Sequence, residues 1–137
     1  MSEERILAAK TKVQRLLNAN VLREVRYSEW LANVVLVPKK NGKMRMCIDF
    51  TDLNKACKKD PFQPPRIDTS VDKAARCKHF SLMDCFSGYH QIWLKKEDEE
   101  KTSFTTPFRT YCYTRMPEGL KNARPTFARM MKAVLGP

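Results

Sequence analysis

Apolar residues at Ile6, Leu7, Val13, Leu16, Leu17, Val21 and Leu22 recur near helical spacing, with Lys10, Lys12 and Arg15 between them. The spacing predicts an amphipathic helix over residues 2–25. Ser2, Glu3 and Glu4 suit its N-terminal end, where a hydroxyl and negative charge meet free backbone N–H groups. The period then changes. Asn33-Val-Val-Leu-Val-Pro38 is apolar and β-branched, Met44-Arg-Met-Cys-Ile-Asp49 alternates, and Asn41-Gly42 between them is a hairpin turn signal. An antiparallel hairpin follows from this, with Lys39, Lys40 and Lys43 at its basic tip.

Further along, the prolines within residues 60–66 remove donors and fix the backbone, so this stretch reads as an ordered connector between two lobes. A short helix is expected over 68–75, with Asp68 or Thr69 near its cap. Residues 79–84 read as a buried strand that ends on a carboxylate, 87–91 as a helical turn and 92–94 as extended chain. The acidic run 97–100 reads as a solvated helical turn. Two strands, 103–106 and 109–116, are expected around Pro107. Residues 123–135 read as a helix with Phe127, Met130, Met131 and Val134 on one side. Strand and helix mix without the regular alternation of a parallel sheet, which predicts an α+β fold.

Composition narrows the partners. Twenty-six Lys and Arg against fifteen Asp and Glu give a formal charge of +11, a surface that attracts polyanions, nucleic acid first among them. A solubilising role for the charge is the bland alternative. With 42% apolar and 30% charged residues over 137 positions, the chain is one globular domain or part of one, rather than a disordered tail. Cys47, Cys57, Cys77, Cys85 and Cys112 are odd in number and form no C-x-x-C pair, so neither a disulfide framework nor a zinc site is suggested. The start of the chain lacks the apolar core of a signal peptide and no run is long enough to span a bilayer, so an intracellular protein, cytoplasmic or nuclear and without membrane contact, is expected.

One carboxylate stands out. Asp84 directly follows the apolar Phe80-Ser-Leu-Met83. A carboxylate there either caps the next turn or meets a divalent metal. The wider stretch Phe80-Ser-Leu-Met-Asp-Cys-Phe-Ser-Gly-Tyr-His-Gln-Ile92 resembles the first catalytic motif of Ty3/gypsy-type retrotransposon reverse transcriptases. Trp30-Leu-Ala-Asn-Val-Val-Leu-Val-Pro38, Arg45-Met-Cys-Ile-Asp-Phe-Thr-Asp-Leu-Asn-Lys55 and Pro65-Arg-Ile-Asp68 are similar to that family's fingers and connector. Met116-Pro-Glu-Gly-Leu-Lys-Asn-Ala123, followed by Thr126-Phe127, is similar to its second palm motif. The resemblance runs in register from about residue 16 to 135, and plant members are nearest in flavour.

The resemblance implies a right-hand polymerase fold cut to fingers and partial palm. Residues 1–60 would hold the N-terminal helix and fingers hairpin, 61–78 the Pro-rich connector and helix, and 79–137 antiparallel palm strands with helices. It implies that Asp84 is one of three aspartates that hold two Mg²⁺ ions for nucleotidyl transfer. The backbone at Cys85 and Phe86 would cradle the triphosphate, and Tyr89 would lie beneath the sugar, where a ring rejects a 2′-hydroxyl. Lys40 and Arg45 match the triphosphate-gripping fingers residues; an Arg fork holds two phosphate oxygens at once. Glu118 and Gly119 match the pocket wall, and Lys39 and Lys43 read as general backbone contacts.

Departures from the family pattern set a further expectation. No Tyr-x-Asp-Asp segment occurs, Arg76, Arg109 and Arg124 stand where relatives tend to carry glycine, Gln63-Pro64 where they tend to read Pro-Leu, and Lys58 where plant members tend to carry proline. Arg at a glycine position resists positive φ. The chain is therefore expected to be catalytically inactive alone and to hold Mg²⁺ weakly. A nucleic-acid-binding protein reused for another purpose, and a protein-interaction or self-associating module that uses exposed palm surface, are the alternatives.

Overall fold

In the computed structural model, which describes residues 2–136, helix α1 (Glu3–Asn18) starts where its cap residue places it. The Ser2 side chain accepts from the Arg5 N–H at 3.4 Å, and Glu3 and Glu4 lie in the first turn. The helix ends well before residue 25. Asn20 takes a left-handed conformation, φ 58°, and the Val21 N–H donates back to the Leu16 carbonyl at 2.9 Å. Asn tolerates that region better than other side chains with a Cβ. The chain so reversed continues as strand β1 (Leu22–Glu24), whose one apolar residue, Leu22, also fits the helical pattern. Periodicity alone could not divide the two elements.

Strands β2 (Ala32–Pro38) and β3 (Met44–Asp49) form the expected hairpin, with Val34 opposite Ile48 and Val37 opposite Arg45. Gly42 supplies the positive φ of the turn at +80°, and the Asn41 Oδ1 accepts from the Lys43 N–H at 3.1 Å. Helix α2 (Thr51–Ala56), not legible in the pattern, follows at once. The Asp49 carboxylate accepts from both the N–H and the hydroxyl of Thr51, which holds the Asp49 pKa below its ordinary value.

The connector is ordered. Asp60 accepts from the Phe62 N–H at 2.9 Å and from Arg129 at 2.7 Å, and its own N–H donates to Asn122 at 3.0 Å. Helix α3 (Ile67–Ala75) comes next, then helix α4 (Lys96–Glu99) and strands β4 (Phe104–Thr105) and β5 (Thr110–Tyr113), and helix α5 (Ala123–Leu135) closes the described chain. The five strands make one sheet in the order β1-β5-β4-β2-β3. All its pairs are antiparallel but one: β2 and β4 run parallel, with Ala32 opposite Phe104. The sheet thus joins strands from either side of the connector, within the α+β class.

Two further expectations fail. Residues 79–84 are not a buried strand: they pair with no strand among the described residues, and Phe80, Leu82 and Met83 are 64%, 88% and 83% exposed. A short apolar run has the composition of a buried strand whether or not a neighbour offers it hydrogen bonds. Nor is the acidic run 97–100 wholly solvated, since Glu99 is buried and accepts from Arg23 Nε at 2.9 Å. The arginines at glycine-like positions carry no strain. Arg76 has φ −80°, and neither Arg109 nor Arg124 has positive φ. Arg109 Nη1 instead donates to both oxygens of the Glu24 carboxylate, at 3.0 and 2.9 Å.

Val13 and Leu16 of α1 pack with Val21, Leu22, Phe50, Leu53, Phe104, Tyr111 and Tyr113 in one buried cluster. Phe104 is fully buried, its ring centroid 5.6 Å from that of Tyr113. Replacement Phe104→Ala should cost about 3–5 kcal/mol of stability in urea unfolding, whereas Leu82→Ala should change it by no more than about 0.5 kcal/mol. Burial pushes the Cys112 thiol up to about 11. At pH 8 the native protein should leave Cys112 unmodified by iodoacetamide while exposed Cys77 reacts, read by peptide mass after a short pulse.

Candidate functional site

The core fixes where the predicted site residues meet. Tyr113 and Phe50 pack edge to face at 6.2 Å, and the turn after β5 places Gly119 beside Phe50 and α2, with Glu118 facing Arg45 of β3. Asn54 ties that turn from both ends: its amide donates to the Gly119 carbonyl at 2.8 Å, and its Oδ1 accepts from the Lys121 N–H at 2.8 Å. Gly119 has φ +91°, and a Cβ there would meet Phe50 only at ordinary contact distance, 3.7 Å. The glycine answers a backbone requirement more than a lack of space.

Two adjoining cavities result. The first, about 460 Å³, lies between α1 and β3 and is lined by Lys12, Arg15, Lys39, Arg45, His90, Glu118 and Gly119 among others. The second, about 600 Å³, is lined by Asp84, Cys85, Tyr89 and Phe127, and shares Lys12, His90 and Glu118 with the first. Seven predicted positions from three stretches of sequence, Lys39, Arg45, Asp84, Cys85, Tyr89, Glu118 and Gly119, therefore border this pair of adjoining cavities, together the cleft. Lys40 and Lys43 are exposed on the hairpin tip outside these cavities, and Phe86 lines a hollow on the α1 side with Lys12, Arg15 and His90.

The turn after Asp84 is shaped by its neighbours. Gln91 donates to the Phe86 carbonyl at 2.7 Å and to Cys85 Sγ at 3.2 Å, and Ser87 takes φ 45°. Tyr89 meets Phe127 of α5 edge to face, centroids 5.4 Å apart. A Cβ at Gly88 would approach that same Phe127 ring to 2.7 Å. Asp84 itself is exposed at the edge of the second cavity.

Charge in the cleft is mostly positive. Arg45 Nη2 reaches Glu118 Oε2 at 3.1 Å. Half-buried Lys12 has its pKa lowered by desolvation first, then by Arg15, with Lys39 and Arg45 adding to the effect and Glu118 opposing it. His90 is lowered by burial and then by Lys12. The sequence pattern had placed Lys12 and Arg15 on the polar side of a helix, three residues apart and so on one face, and had not marked them as site residues. His90 carries only a motif position in the sequence, and Phe127 a motif position and a place on the apolar side of the 123–135 helix.

Among the described residues no group of three or more His, Cys, Asp or Glu side chains is placed to hold a metal ion. Asp84 supplies one carboxylate where a two-metal site needs several, so these residues do not make that site by themselves. No helix among them is long and apolar enough to cross a membrane.

Comparison with known proteins agrees with the motif reading. Residues 37–137 match the family described as reverse transcriptase (RNA-dependent DNA polymerase). The Pol polyprotein from transposon 412 of Drosophila melanogaster is 39% identical over 128 residues, 89% of this chain and 10% of that protein. The corresponding polyprotein from transposon gypsy is 35% identical over 90% of this chain and 12% of its own length. An RNA-directed DNA polymerase homolog of Oenothera berteroana is 39% identical over 67% of this chain and 65% of its own, so plant and insect relatives stand level in identity. A solved structure of the foamy viral protease-reverse transcriptase in complex with RNA/DNA hybrid superposes at TM-score 0.82 over 98% of this chain and 18% of that one, at 20% identity, which is likeness of fold. This chain thus spans about a tenth of the first two polyproteins.

Gly119→Ala should cost about 1–2 kcal/mol in thermal or urea unfolding because its φ is left-handed, and Gly119→Asn should recover part of that loss.

Proposed function

The chain belongs to the reverse transcriptase (RNA-dependent DNA polymerase) family, and on that premise we propose that it supplies the fingers and the Asp84-bearing part of the palm of a retrotransposon polymerase. The carrying observation is the pair of adjoining cavities, joined at Lys12, His90 and Glu118, on which Arg45, Asp84, Tyr89, Glu118 and Gly119 converge. In this reading Arg45, with Lys40 from the hairpin tip, grips the triphosphate of an incoming nucleotide. The Tyr89 ring, held against Phe127, lies under the sugar. The backbone at Cys85 and Phe86 borders the phosphates, and Glu118 and Gly119 form the wall of the base pocket. Lys39 and Lys43 touch the nucleic-acid backbone.

Asp84 would hold Mg²⁺ only together with carboxylates that the described residues do not provide. When bound, the metal would supply charge neutralisation at the reacting phosphate. What this chain does by itself is bind: the formal charge of +11 favours a polyanion, and the cleft lies beside the basic hairpin. A second reading, association through protein contacts, is favoured by the exposed Phe80, Leu82, Met83 and Phe86.

An RNA/DNA hybrid should be retained by the purified chain, with affinity falling steeply as salt rises from about 50 to 200 mM, and Lys43→Gln should reduce the logarithmic salt slope by about one. No primer extension should accompany it when Mg²⁺ is added. Absence of binding at the lowest salt would sink the nucleic-acid reading, and concentration-dependent light scattering in its place would favour the second. Template-directed incorporation would overturn the need for further carboxylates.

A further inference from the structure

Four cations, Lys12, Arg15, Lys39 and Arg45, line the 460 Å³ cavity against a single carboxylate, Glu118. Two of the four come from α1, and Lys12 also lines both neighbouring hollows. Clustered like charges repel, Lys12 being partly buried and the other three exposed, and an anion that shares the space relieves the repulsion. Within the chain that anion is Glu118, which faces Arg45 at 3.1 Å with both side chains more than half exposed. Exposed ion pairs contribute little and exchange readily, and an Arg fork that accepts a carboxylate also accepts a phosphate.

We propose that Lys12 and Arg15 of α1 extend the Lys39–Arg45 wall into a polyphosphate site, and that Glu118 occupies this site as an intramolecular anion which the ligand displaces. The proposal rests on the nucleotide-gripping role given to Arg45 and adds to it a second cationic wall and a built-in competitor. Lys12 supports it through its lowered pKa, caused by burial and by the three neighbouring cations. Displacement frees the Arg45 fork, and the multiple charges of a polyphosphate meet all four cations where one carboxylate meets Arg45. Glu118 thereby sets a threshold: mono-anions gain little over it, and polyphosphates gain more.

Calorimetric titration with inorganic tripolyphosphate, without divalent metal and at low ionic strength, tests this on the 137-residue chain. Circular dichroism of each variant verifies its fold. Glu118→Gln should tighten binding by about threefold. Lys12→Gln and Arg15→Gln should each weaken it by about three- to tenfold. Lys10→Gln, on the exposed side of α1, should leave it unchanged. The gain from Glu118→Gln should shrink when Arg45→Gln is also present. The inference is overturned if Glu118→Gln fails to tighten binding, or if Lys10→Gln weakens it as much as Lys12→Gln does. If Arg45→Gln abolishes binding while Lys12→Gln and Arg15→Gln do not change it, the α1 wall is wrong and the Arg45 role survives. If Arg45→Gln has no effect either, both fail.

Discussion

Burial of Phe104 between α1 and the sheet is the contact on which the rest of the structure depends. Its strand, β4, is only two residues long, yet it pairs antiparallel with β5 on one side and parallel with β2 on the other. So short a strand gains little from its own hydrogen bonds. The ring, packed against Tyr111 and Tyr113 and in one cluster with Val13 and Leu16, supplies apolar burial on the order of a few kcal/mol. Through it the hairpin, the N-terminal helix and the turn at Glu118 become one body.

The cleft is a consequence of that packing. Helix α1 lies over the sheet by its apolar side, and its polar side at Lys12 and Arg15 then faces β3 and Glu118. Nothing in the local sequence of α1 asks for a carboxylate across a cavity, and nothing in the turn at Glu118 asks for a lysine. Their encounter is a product of tertiary packing, as is the partial neutralisation of Arg45 by Glu118. The same packing leaves the Asp84 segment outside the core, with its carboxylate exposed and its apolar neighbours in solvent.

Order is therefore unequal across the molecule. The sheet, α1 and the turn at Gly119 are held by buried side chains and by the paired hydrogen bonds of Asn54. Asp60, Asn122 and Arg129 hold the connector to α5 by polar contacts, with the Arg129 guanidinium 4.9 Å from the centre of the Phe62 ring. Residues 79–84 have neither kind of support, and their contribution to stability is small accordingly.

Local chemistry determined much of this protein from the sequence alone. The Ser2 cap, the Asn41-Gly42 turn, the β2–β3 register, the proline-bound connector and helix α5 all follow from residues within a few positions of one another, because dihedral preferences and hydrogen-bond geometry act at that range. The family, too, was legible, since its motifs are short and keep their order. Tertiary structure decided what depends on a partner far along the chain. Leu22 became strand because β5 lay beside it, residues 79–84 stayed outside any sheet because no strand did, and Glu99 was buried because Arg23 could meet it. Lys12, Arg15 and His90 became cleft residues by the same route. An apolar run or a charged residue carries no record of which neighbour will cover it; that is settled only when distant segments pack.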